Sequence, residues 1–118
     1  MTQPDTKVDK DDWRRVLDQL TAEHEGDYIT IELNAPEIGH EHEAEQKPFA
    51  YATYDPKDDV VIVAVGQDDP EEPVLRHMVW HPTEVIAALD SDSPPAFEVV
   101  EPDGTTTLVT FYPQHVMA

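Results

Sequence analysis

The chain of 118 residues contains no cysteine. Disulfides, thiolate metal sites and thiol nucleophiles are therefore excluded. Serine is almost as scarce: Ser91 and Ser93 both lie in "DSDSPP", where neighbouring carboxylates oppose the build-up of alkoxide charge. A hydrolase triad has no foothold there. The four glycines, at 26, 39, 66 and 104, stand apart from one another, so no loop of backbone amides can cradle a phosphate. The longest apolar run, Val60 to Val65, falls far short of the roughly 20 residues that cross a bilayer. The opening "MTQPDTKVDKDD" has no apolar stretch of about 7 to 15 residues of the kind a secretory signal needs, so the expected location is the cytoplasm.

Basic residues are the scarcest class relative to their opposites. Seven Lys and Arg face 26 Asp and Glu, a formal net charge of -19. Nucleic-acid binding depends on Lys and Arg displacing counterions, so this balance argues against direct nucleic-acid contact, and anionic membranes are disfavoured for the same reason. Three meanings of the acidity stay open: a salt-adapted or highly soluble surface, attraction to a partner with a basic surface, or mimicry of nucleic acid.

What is present reads as one domain. Residues 1–9 are polar and acidic and read as a mobile tail, residues 10–113 as a single folded unit, and 114–118 as a short C-terminal tail. In "DDWRRVLDQLTAEHEG", Trp13, Val16, Leu17, Leu20 and His24 fall on one helical face, with Gly26 placed to stop the helix. "DYITIELN" alternates apolar and polar residues as a half-buried strand does. "PFAYATY", "VVIVAVG" and "PVLRHMVW" follow as strand candidates, and "AFEVVEPDGTTTLVTFY" is a hairpin about a Pro-Asp-Gly turn. "HPTEVIAAL" suits either a short helix opened by Pro82 or an extended segment. The fold class expected is α+β: an N-terminal amphipathic helix packed on a curved, mainly antiparallel sheet of five or six strands, with room for one short second helix.

The densest cluster of chemistry is "GHEHEAEQ", residues 39–46. If it is extended, His40 and His42 share a side about 7 Å apart along the strand, and two such imidazoles, with Glu45, could hold a divalent metal. The spacing fails to match a cupin, whose glutamate would come later after the second histidine. The simpler reading is a polar segment between Pro36 and Pro48. Asp90, Asp92 and Glu101 fall at calcium-loop spacing, but Pro94 and Pro95 occupy positions where a ligand and a glycine belong. His77, His81 and His24 read as structural, and both Trp13 and Trp80 as core anchors. No resident cofactor is called for.

Trp13 and Leu17, "HEG" at 24–26 leading into a Thr and Glu strand, Gly39, and the closing "DGTTTLVTF" together resemble a family of small uncharacterised bacterial proteins, a domain of unknown function. The resemblance covers roughly residues 10–112 and excludes "GHEHEAEQ" and "PQHVMA". That family has no established activity, so the resemblance implies no site residue and no cofactor. The residues lean away from an enzyme. They point first to an acidic, soluble, cytoplasmic interaction or regulatory module meeting a protein with a basic surface, with a sheet that could support a homodimer. Metal binding through His40, His42 and Glu45, and nucleic-acid mimicry, are the alternatives.

Overall fold

The computed structural model describes residues 6–36, 39–66, 73–88 and 95–112, with backbone alone for 39–46 and 73–74. One α-helix and eight strands follow in the order β1 (Thr6–Val8), a 3-10 turn (Lys10–Asp12), α1 (Trp13–His24), β2 (Tyr28–Ala35), β3 (Gly39–Asp55), β4 (Val60–Gly66), β5 (Pro73–Trp80), β6 (Glu84–Ala88), β7 (Ala96–Val100) and β8 (Thr106–Tyr112). The expected N-terminal helix and antiparallel sheet are both present. All pairings are antiparallel, in the spatial order β1-β6-β7-β8-β2-β3-β4-β5, and the sheet is open.

Two elements enlarge the sheet beyond the five or six strands expected. Residues 82–89 contain no second helix: Val85 and Ala87 are buried in alternation with half-buried Glu84, Ile86 and Ala88, and the segment pairs on both sides as β6. The period-two burial of Val85 and Ala87 outweighs the helix-start signal of Pro82. Thr6–Val8, read from the sequence as part of the tail, pair with Val85–Ala87 as the short edge strand β1.

The long strand β3 makes the sheet bend. Residues from Gly39 to Pro48 pair with β2, whereas Phe49–Asp55 pair with β4, and register shifts interrupt both ladders. Such irregularities sharpen local twist and let one strand serve two differently oriented halves. The halves close over a shared core of Ile29, Ile31, Val61, Val63, Val65, Val79, Phe97, Val109 and Phe111. Across it, His77 Nε2 on β5 lies 3.2 Å from Thr107 Oγ1 on β8. Thr107 is the only polar residue buried among the described residues.

Beyond Pro48, β3 has lost β2 as a neighbour, and α1 takes over that side. Trp13, Leu17 and Leu20 give the helix a buried stripe at i, i+4 and i+7. Trp13 packs edge-to-face on Tyr54 at 5.1 Å, and its indole N–H donates to the Val8 carbonyl at 3.0 Å. The turn after the helix continues the cover: Phe49 N–H donates to Asp27 O at 2.8 Å. Gly26, at φ 90°, supplies the left-handed residue that turns the chain there.

Candidate functional site

One corner of the molecule gathers polar chemistry from three segments: the entry to α1, the β3–β4 turn and the end of β5. Tyr54 Oη donates to Asp59 Oδ1 at 2.7 Å, and His81 Nδ1 lies 3.3 Å from Asp59 Oδ2. The His81 N–H donates to the Asp59 carbonyl at 2.8 Å. Asp59 and His81 are the two non-glycine residues with positive φ, both at 54°, among the described residues. Each conformation costs energy and is held because the surrounding bonds over-determine it.

A groove lies beside this cluster. One hollow of about 430 Å³ is lined by Lys10, Asp11, Arg14, Tyr54, Pro56 and Asp59. A neighbouring one of about 330 Å³ shares Arg14, Tyr54 and Pro56 and reaches Ile62 on the outward face of β4. Lys10 sits 5.5 Å from the centre of the Trp13 ring, a cation–π distance.

The electrostatics of Tyr54 and Asp59 hold each of the two in one protonation state. Burial, then the hydrogen bond to Asp59 and the charges of Asp59 and Asp55, push the Tyr54 phenol up to about 12. The hydrogen bonds from Tyr54 and His81, with Lys10 nearby, hold the Asp59 carboxyl below its usual range. A general acid or base works best with its pKa near the operating pH. Here the phenol stays protonated and the carboxylate stays ionised, so Tyr54 fixes Asp59 in the β3–β4 turn, and Asp59 in turn holds His81 at the end of β5 as a clasp.

Next to the clasp the sheet shows an apolar surface. Met78 is 40% exposed and Trp80 49% exposed, the large hydrophobics left open among the described residues, and both lie on β5. Their cross-strand neighbours are Ile62 and Val60. Because successive strand residues alternate faces, Arg76, Met78 and Trp80 share the outward side with half-buried Ile62. Neither β4 nor β5 contains a carboxylate. In a chain of net charge -19 this is a window in the acid.

The other sequence-derived candidates lie elsewhere in the chain. "GHEHEAEQ" is extended as the first part of β3, and the register sets His42 opposite Glu32 and His40 opposite Asn34. The side chains of the metal candidates His40, His42 and Glu45 lie outside the described residues, as do Asp90 and Asp92. His24 is structural: its ring stacks on Phe111 at 4.4 Å, and Nδ1 meets Asp27 Oδ2 at 3.0 Å. Trp13 is a core anchor, as expected, but Trp80 is not. The alternation that buries Val79 turns Trp80 outward. The clasp went unseen because its members are 5 and 22 residues apart. The only sequence signal was the carboxylate pair Asp58 and Asp59 in a turn.

No helix among the described residues is long and apolar enough to cross a membrane. No solved structure matches the chain. An uncharacterised protein from Aquifex aeolicus (strain VF5) is 26% identical over 106 residues, covering 90% of this chain and 90% of that one. Residues 4–117 match a family described as of unknown function, DUF5335, in agreement with the resemblance read from the sequence. The chain belongs to this family of unknown function, DUF5335.

Proposed function

We propose that the protein is a non-enzymatic cytoplasmic interaction module that docks a protein partner on the outward face of β5, beside Ile62 of β4. The observation that carries this reading is the exposure of Trp80 and Met78 side by side on a surface otherwise rich in acid. Exposed aromatic and methionine side chains are the usual anchors of protein interfaces. The surrounding negative charge steers a basic partner towards that window and sets the salt dependence of its arrival. The partner therefore presents an apolar spot within a basic rim.

The test is affinity capture from the protein's own host lysate with the wild type and a Trp80→Ser, Met78→Ser double variant. A basic protein retained by the wild type, released by salt and lost from the variant is the expected result. Identical sets of captured proteins would sink the reading.

A second reading is divalent-metal binding by His40 and His42, with Glu45. It gains support from one observation: both histidines lie two residues apart within a single strand, β3. Native mass spectrometry with added zinc or nickel separates the readings. A His40→Ala, His42→Ala variant that binds metal as well as the wild type removes this one.

A further inference from the structure

We infer that the docking face is completed by the edge of β5 that has no neighbouring strand among the described residues, and that its occupant is an extended basic segment of the partner, added as a further antiparallel strand. This rests on the reading of the β4–β5 face as an interaction site and says how that site is filled.

β5 ends the sheet order, with β4 on one side and no strand on the other among the described residues. Its ladder tells which groups face that open side. The His81 N–H donates to Asp59 O, which makes Val60 and Trp80 the pair of the ladder that exchanges no backbone bonds with each other. By alternation along an antiparallel pair, the N–H and C=O of Arg76, Met78 and Trp80 then point away from β4. Three residues thus offer both their outward side chains and their backbone hydrogen-bonding groups to the same region.

The two ends of the sheet differ in protection. The opposite edge is β1, only three residues long, and its Lys7 is engaged with Glu84 at 3.1 Å. Short edges and charged side chains are how sheets block unwanted pairing. β5 spans eight residues, with no proline after Pro73, no lysine and no carboxylate. The register shift in its ladder is confined to the end at Gly66 and leaves Leu75–Trp80 regular. An edge built like this accepts an added strand, with main-chain bonds giving affinity and side-chain contacts at alternate positions giving selectivity.

Charge chooses between occupants. A second copy would bring another net charge of -19 to the same edge, whereas a lysine-bearing segment is drawn in. The occupant that fits is therefore an extended segment with apolar residues beside Met78 and Trp80 and basic residues flanking them.

The experiment uses the full chain and three synthetic peptides of about ten residues, the length of a typical added strand with its flanks. The first is "KKVTVTVTKK", the second the same core flanked by glutamates, and the third the lysine-flanked peptide with alternate amides N-methylated. The lysine-flanked probe should bind and protect the amides of Arg76, Met78 and Trp80 from hydrogen exchange, while N-methylation should weaken binding roughly tenfold or more. Met78→Pro removes a donor from the outer edge and none from the ladder, so it should weaken binding similarly. The N-methylated probe keeps the test valid whether or not that variant folds.

If the N-methylated probe binds as well as the parent while Trp80→Ala loses both, the face is an interaction site but no strand is added, and the inference falls alone. Equal binding of the glutamate-flanked peptide overturns the basic character of the occupant. Absence of binding by the lysine-flanked peptide, or self-association through β5 that this peptide does not disturb, overturns the inference outright.

Discussion

The hydroxyl of Thr21 and the backbone of Ala52 hold α1 against β3. Thr21 Oγ1 accepts the Ala52 N–H at 2.9 Å, and lies 2.8 Å from the Ala52 carbonyl and 2.9 Å from that of Leu17, between which its one proton is shared. Ala52 is buried and lies in the part of β3 that β2 no longer reaches, so its N–H and C=O would otherwise lack partners on that side. The helix thereby protects an edge in the middle of the sheet, where an exposed strand would invite pairing.

Thr21→Val keeps the shape and removes the hydroxyl. The change should destabilise the fold by roughly 1–3 kcal/mol, the cost of leaving a buried backbone group unsatisfied. Chemical denaturation of the wild type, Thr21→Val and Thr21→Ser measures this. Thr21→Ser should retain most of the stability; a loss in Thr21→Ser with Thr21→Val unchanged would place the effect in the methyl group instead.

The clasp of Tyr54, Asp59 and His81 predicts a pH dependence at both ends. The Tyr54 phenol has a folded pKa raised to about 12, so its contribution is complete below the unfolded value near 10 and is lost as pH rises through about 12. Asp59 has a depressed folded pKa, so its contribution is present above the ordinary carboxylate range and disappears as pH falls through the folded value. Absorbance at 295 nm should show a tyrosinate phase near pH 12 that vanishes in Tyr54→Phe. An unchanged titration in that variant would show the clasp to be open in solution.

Gly104 closes the hairpin between β7 and β8 at φ 90°, and a Cβ there would meet Pro36 Cγ at 3.3 Å. Gly104→Ala should therefore cost about 1–2 kcal/mol, from the left-handed backbone that a side chain disfavours. Thermal unfolding checks this. A variant as stable as the wild type would mean that the turn relaxes to another geometry.

A net charge of -19 strains the folded chain by self-repulsion. Raising salt from about 0.01 M to about 1 M shortens the screening length from roughly 30 Å to about 3 Å. The unfolding temperature in sodium chloride should rise across this range. A fall would mean that attractive pairs, such as Lys7 with Glu84, outweigh the repulsion.

The periodicities of the sequence mark α1, with Trp13, Leu17 and Leu20 on one face, and the hairpin about Pro102, Asp103 and Gly104. Both are local: a repeat of 3.6 or 2 residues states which side of a segment is apolar, and a left-handed turn calls for glycine where it occurs. The absence of cysteine is likewise settled by composition, and with it the exclusion of disulfides and thiol chemistry. Tertiary structure decided the rest. Val85 and Ala87 became a strand because β1 and β7 pair on either side of them. Tyr54, Asp59 and His81 met only because β3 pairs with β4, and β4 with β5, in one register. Trp80 was left in solvent because it falls on the outward side of the sheet's last strand. Each outcome depends on which strands are neighbours, and that is fixed by contacts between residues far apart in the chain, on which local alternation is silent.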